Sequence, residues 1–289
     1  FHDIFSSLEF CKIAKVLYKK HIPYIVVPHG CFTYNAMKRG KIKKTVALHT
    51  IFRTLVYKAA AIQYLTKDEL NNSYIKNKSI VIPNGTFIPE KLDKDKDNSE
   101  KISFVYIGRK DIYHKGIDFM LEGFKLASDI MRKNGATLTL YGPDRKGSFA
   151  EIDKMISNYK LGDFVFNKKG IFDQEKEEIL KKSSVFVLTS RLEGQPIALL
   201  EACAYGLPVL ITPGTNVSDE VTKFNCGWVA NLSGESIAEK ITHIINHQKE
   251  IQICSKNAQE YVSKMYSWET VAQNAINQYE NIIGDYHRK

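Results

Sequence analysis

The stretch Val185-Phe-Val-Leu-Thr-Ser-Arg-Leu-Glu-Gly-Gln-Pro-Ile-Ala-Leu-Leu-Glu-Ala-Cys-Ala-Tyr-Gly-Leu-Pro-Val-Leu-Ile211 contains the fold in miniature. Val185–Leu188 is a short apolar run suited to a buried strand, and Pro208–Ile211 is a second. Between them Pro196–Tyr205 reads as a helix, with Pro196 at its first position and Gly206 at its end. A strand, a helix and a strand in this order make a parallel crossover. The same alternation runs upstream through strand Ile102–Ile107, helix Gly116–Ser128, strand Thr137–Tyr141, helix Phe149–Tyr159, strand Phe164–Phe166 and helix Gln174–Lys182. Downstream come a short strand, Gly227–Ala230, and two or three helices. The pattern predicts an α/β fold with a doubly wound parallel sheet, whose ligands sit beyond the C-terminal strand ends.

The preceding part alternates in the same way. Ser6–Lys20 has apolar residues at helical spacing, and Ile22–Pro28 is a short β-rich run followed by His29-Gly30. A helical pattern after Lys44 continues through Leu48, Ile51, Leu55 and Val56. Ala59–Leu65 reads as a strand, Thr66-Lys-Asp-Glu69 as a capping box, and Ser79–Ile82 as a strand stopped by Pro83-Asn-Gly85. The run from Leu92 to Glu100 is too polar to bury a core and reads as a linker. The expected division is residues 1–99 for a first domain with linker and 100–266 for a second. Residues 267–289 form a last helix packing back toward the first domain.

Hydrophobic residues make up 44% of the 289 and charged residues 25%, as in an ordinary globular protein. No apolar run is long enough for a spanning helix. The five cysteines are scattered without ligand spacing, which fits reduced thiols in a cytoplasmic protein. The net charge of +9 lies entirely in residues 1–99, which hold 17 Lys and Arg against 8 Asp and Glu. Such asymmetry suggests an anionic partner, or simply a solvated basic surface.

Two loops carry the chemistry. Gly108-Arg-Lys-Asp-Ile-Tyr-His-Lys-Gly116 follows the first strand of the second domain. Lys115 is expected at the start of the next helix, where the dipole opposes a cation unless an anion joins them. Arg109 would share that anion. The alternative reading is two solvated surface cations. In the second loop, Gly194 would permit close backbone approach, and the amides from Gln195 through Pro196, Ile197 and Ala198 to Leu199 would surround a helix N-terminus. Glu201 lies in an otherwise apolar helix, where a carboxylate needs a partner: vicinal hydroxyls of a ligand, or an internal salt bridge. Gly170-Ile-Phe172 could face a base or be a plain turn. There is no dinucleotide fingerprint and no P-loop.

Together these motifs resemble the glycosyltransferases of family 4, the glycosyl transferases group 1, of the GT-B fold. The matching segments are Gly108-Arg109, Lys115-Gly116, Gly170-Ile171, Glu193-Gly194 through Glu201-Ala202, and Gly206-Leu-Pro-Val209. Pro28-His-Gly30, Leu65-Thr-Lys-Asp-Glu69, Ile82-Pro-Asn-Gly85 and Ser267-Trp-Glu269 also match. The resemblance implies two Rossmann-like domains facing a cleft and retaining, metal-independent hexosyl transfer with no cofactor. The donor would be a nucleotide-sugar, UDP-hexose or UDP-N-acetylhexosamine in preference to a GDP- or ADP-sugar, and the acceptor a glycan or lipid-linked glycan in cell-surface polysaccharide or glycolipid synthesis. Arg109 and Lys115 would hold the diphosphate, Glu201 the ribose and Ile171 the base. Glu193 would contact the donor sugar, and His29 would face it from the first domain. The resemblance also implies about 80 to 90 further residues before Phe1, so the N-terminal domain is expected to be incomplete. A non-catalytic nucleotide-sugar-binding or partner subunit is the alternative. Lys38, Arg39, Lys41, Lys43 and Lys44 could rest on an anionic membrane at its inner face. No nucleic-acid motif accompanies them.

Overall fold

A computed structural model describes residues 1–2, 4–38, 40–75, 77–90 and 101–288. The chain divides into two compact units, Phe1–Gly85 with Trp268–Lys289, and Thr86–Ser267. The expected linker and the boundary at 99 and 100 fall within 91–100, outside the described residues, as does Arg39.

In the first unit, strands β1 (Ile25–Val26), β2 (Ala61–Tyr64) and β3 (Ser79–Val81) form a parallel sheet in that order. Helices α1 (Glu9–Lys19), α2 (Tyr34–Lys38), α3 (Lys41–His49), α4 (Arg53–Tyr57) and α5 (Lys67–Asn71) accompany them. Phe32, Leu48, Leu55, Val56, Ile62 and Tyr64 are at the centre of its core. The C-terminal helix, Trp268–His287, packs on the sheet: the Tyr279 hydroxyl donates to Gln63 Oε1 at 2.6 Å and Gln278 Nε2 to the Val81 carbonyl at 3.1 Å.

Two local expectations change here. The single helical pattern from Lys44 to Val56 is two helices, because the chain breaks at Thr50, whose hydroxyl caps the turn by donating to the Val46 carbonyl at 2.7 Å. The capping box is half-formed. Thr66 Oγ1 accepts from the Glu69 amide at 3.0 Å, but the Glu69 carboxylate does not return the bond to Thr66. It accepts instead from the amides of Leu65 and Gly30, joining two turns.

The second unit holds β4 (Ser103–Ile107), β5 (Thr137–Tyr141), β6 (Val165–Lys168), β7 (Val185–Leu188), β8 (Val209–Ile211) and β9 (Gly227–Val229). All are parallel, in the order β6-β5-β4-β7-β8-β9. Its helices are α6 (Ile112–Lys115), α7 (Ile117–Leu126), α8 (Ser128–Lys133), α9 (Ser148–Asn158), α10 (Asp173–Lys182), α11 (Ile197–Ala204), α12 (Ser218–Phe224), α13 (Gly234–Asn246) and α14 (Gln248–Tyr266). β7 and β8 are buried at every position, as apolar strands covered on both faces must be.

The chain order reverses between β4 and β7, which are hydrogen-bonded neighbours. Connections leaving these two strands diverge, so a crevice opens beyond their C-terminal ends. Both candidate loops start there. They are also packed on each other: a Cβ at Gly116, which has φ +61°, would lie 1.9 Å from the Thr189 carbonyl oxygen.

Candidate functional site

The loop after β4 does not run straight into α7. Asp111 caps a one-turn helix, accepting from the His114 amide at 3.1 Å, and Gly116 turns the chain before α7 begins at Ile117. Lys115 therefore ends α6 rather than starting the next helix, and a cation suits that end. Its ammonium pairs with Glu193 Oε1 at 2.6 Å, with the two side chains only 16% and 11% exposed. The partner expected from a ligand is supplied, in this state, by the second loop.

Glu193 is held from several directions. The Ser190 hydroxyl donates to the same oxygen at 2.5 Å, the Glu193 amide donates to the Gly214 carbonyl at 2.8 Å, and Asn216 Nδ2 donates to the Glu193 carbonyl at 2.5 Å. The adjacent Gly194 has no protein atom within 4 Å of where a Cβ would stand, so the space beside it is open. Arg109 is exposed at the rim, and its carbonyl accepts from the buried Tyr106 hydroxyl at 2.8 Å. Burial raises the Tyr106 phenol, and the nearby Glu193 and Asp111 charges raise it further, so it stays a neutral donor.

The helix after β7 differs from expectation in two places. Pro196 is the cap of α11, with φ −82° and ψ 87°, not its first helical residue. The Leu199 amide donates to the Pro196 carbonyl at 3.0 Å and its side chain is fully buried, so Leu199 contributes packing. Ile197 and Ala198 open the helix ahead of that first turn bond. Ile171 likewise turns its side chain into the core, 6% exposed, while Phe172 is 67% exposed. Gly108 lies beside the Tyr106 hydroxyl, where a Cβ would come within 2.8 Å.

Glu201 is half-buried rather than enclosed, and its partner is Lys176 of α10 at 2.6 Å. The internal salt bridge is thus the arrangement present. The pair opens onto a cavity of about 350 Å³ lined by Asp173, Glu177, Tyr205 and the 86–89 segment. Burial and the nearby Glu177 carboxylate push the Tyr205 phenol up to about 12. His29, in the first unit, is exposed in a turn with φ +49°; its Nε2 is 2.9 Å from His2 Nδ1.

Three groups were not legible in the sequence. Arg191 makes a clamp: its guanidinium forks onto Asp118 at 2.8 and 2.5 Å, donates to the Tyr113 carbonyl at 2.6 Å, and lies 4.5 Å from both the Tyr113 and Phe119 rings. Its own amide donates to the His114 carbonyl at 2.9 Å. The two loops are bolted together at the residue between Ser190 and Leu192, which fixes Lys115 against Glu193. Lys110 is fully buried, donating to Asn167 and the Lys168 carbonyl over the Phe149 ring, and burial pulls its ammonium down to about 8. At Asp111, burial pushes the carboxyl up, but hydrogen bonds from His114 and the Arg145 charge outweigh it and hold the group below its usual range. Among the described residues no group of three His, Cys, Asp or Glu is arranged to hold a metal.

A doubly wound unit with cations and a helix start at its switch point has the elements from which anion sites are built. Residues 87–261 match the family model for glycosyl transferases group 1, and the chain belongs to that family. It is 27% identical over 244 residues to an uncharacterized 41.2 kDa protein in the cps region of Klebsiella pneumoniae, covering 80% of this chain and 63% of that one. It is 24% identical over 243 residues to the N,N'-diacetylbacillosaminyl-diphospho-undecaprenol alpha-1,3-N-acetylgalactosaminyltransferase of Campylobacter jejuni, covering 76% and 61%. The chain thus spans less than two thirds of the length of both relatives. The crystal structure of Anabaena HepE in complex with UDP superimposes with a TM-score of 0.77 at 15% identity, covering 95% of this chain and 77% of that one. The fold is α/β of the GT-B type.

Proposed function

We propose that the protein transfers a hexose or N-acetylhexosamine, with retention, from a UDP-sugar to a glycan or lipid-linked acceptor in cell-surface polysaccharide or glycolipid assembly. The observation that carries this is the Lys115–Glu193 pair at the switch point, with Arg109 at its rim. A leaving UDP develops charge on its β-phosphate as the glycosidic bond breaks. Lys115, held by Glu193, and Arg109 at the rim neutralise that charge, which is the dominant catalytic effect in such a site. No metal is needed for it in this reading, and activity should persist in EDTA.

Donor binding places the diphosphate against Lys115, which then shares its ammonium between phosphate and Glu193. The amides of Ile197 and Ala198 face the same charge. Glu193, released in part, accepts from hydroxyls of the sugar. Glu201 takes the ribose diol, exchanging or sharing Lys176. Backbone groups around Ile171, rather than its side chain, read the base. The C. jejuni relative's name, with its diphospho-undecaprenol acceptor, supports a lipid-linked acceptor.

Release of UDP from UDP-sugars by the intact protein tests the reading. Turnover should fall at least about 100-fold for Lys115→Ala and for Glu193→Ala. UDP-sugar binding with no turnover on any acceptor would instead mark a non-catalytic binding subunit.

A further inference from the structure

Among the described residues that line the cavity of about 350 Å³ in the second unit, Lys176 is the one cation, set against the carboxylates of Asp173, Glu177 and Glu201. Two of the three lie on its own helix, Asp173 at i−3 and Glu177 at i+1. The ammonium nevertheless crosses to α11 and meets Glu201 Oε2 at 2.6 Å. Glu177 is satisfied without it: the Tyr205 phenol hydrogen-bonds to it, and the Lys181 ammonium lies 3.7 Å away. Glu201 has no such partner on its own helix, where every other residue from Ile197 to Ala204 is apolar. Its counter-charge has to come from a neighbouring element. The two side chains are 26% and 28% exposed, so a ligand can reach the pair.

The contact uses one oxygen of the carboxylate. An ionised carboxylate has about four lone-pair sites, so one ammonium leaves capacity for two hydroxyl donors. What the ammonium removes is freedom. A glutamate side chain that is loose before binding must be ordered by its ligand, at a cost of up to about tenfold in affinity. Held by Lys176, Glu201 is ordered beforehand. The excess of carboxylates also gives the cavity a direction: it suits hydroxyl donors and repels phosphate, while the cations Arg109 and Lys115 lie on the other loop.

We propose that Lys176 is a positioning residue for ribose recognition, which stays bonded to Glu201 Oε2 while the ribose hydroxyls donate to the remaining sites of the carboxylate. This rests on the reading that Glu201 takes the ribose diol, and it settles the fate of the lysine: retained, not displaced. The two fates differ in sign. A displaced lysine competes with the nucleotide, so its removal would tighten binding. A retained lysine supports the carboxylate, so its removal weakens binding.

Calorimetric titration with UDP and with 2′,3′-dideoxy-UDP separates them. The wild-type chain should prefer UDP about tenfold or more, because the analogue leaves the carboxylate without its donors. Loss of a nearby charge or of local structure would weaken both nucleotides alike, so the ratio of the two affinities is the readout. Lys176→Met should lower that ratio about fivefold. Lys176→Arg keeps the charge and should restore most of it. In a Glu201→Gln background, where no carboxylate remains to be held, Lys176→Met should leave the ratio where it is. In transfer, the loss should fall on KM for the donor. Tighter UDP binding by Lys176→Met, or equal weakening of both nucleotides, would overturn the proposal. If Glu201→Gln lowers the ratio and Lys176→Met does not, the ribose reading stands and the role of the lysine falls. If the wild-type chain does not bind UDP, or does not distinguish it from the analogue, both fall.

Discussion

Lys115 and Glu193 illustrate how a site can hold its charges before a ligand arrives. Each carboxylate or ammonium taken from water needs a counter-group, and the short loop-to-loop pair provides it. Lys115→Met should therefore destabilise the second unit by about 1–3 kcal/mol, as measured by urea unfolding, besides lowering transfer as Lys115→Ala does. Glu201 and Lys176 repeat the arrangement on α11 and α10. Lys110 makes a separate prediction. Its folded-state value of about 8 lies below the 10.5 of a free lysine, so between these limits the unfolded chain binds a proton that the folded one has released. Stability from this group accordingly rises with pH from about 8 to 10.5. The difference in melting temperature between wild type and Lys110→Met should change across that window and be flat below it.

Among the elements, the join between the loops after β4 and β7 matters most. Arg191→Lys keeps the charge but loses the fork onto Asp118 and weakens both ring contacts, and should cost about 2 kcal/mol. Two glycines should behave oppositely. Gly116→Ala collides with the Thr189 carbonyl oxygen and demands a left-handed backbone, so folding should suffer severely. Gly194→Ala meets nothing in the protein, so the melting temperature should hold while donor affinity falls. The strands and helices of the second unit were legible because period and length agreed, as in Val185–Ile211. The one-turn α6 was not: four residues between a capping aspartate and a glycine have no period to read. Nor was the Arg191–Asp118 clamp, since a fork across 73 positions leaves no local signature. At Ile171 and Leu199 a motif names a position, but packing decides whether backbone or side chain is offered.

At the scale of the molecule, the C-terminal helix completes the first unit although it follows the second in sequence. It satisfies Gln63, the Val81 carbonyl and Lys78, which pairs with Asp285 at 2.7 Å. Removing residues 268–289 should accelerate amide hydrogen exchange in β2 and β3 while leaving β4, β7 and β8 protected. The central claim is that the switch point of the second unit is a nucleotide-sugar site. Calorimetric titration of UDP into the whole chain tests it most directly. The account predicts one saturable site, weakened about tenfold or more by Arg109→Ala and by Glu201→Gln, each having lost a charged hydrogen-bond partner. No UDP binding, or binding indifferent to both substitutions, would contradict it.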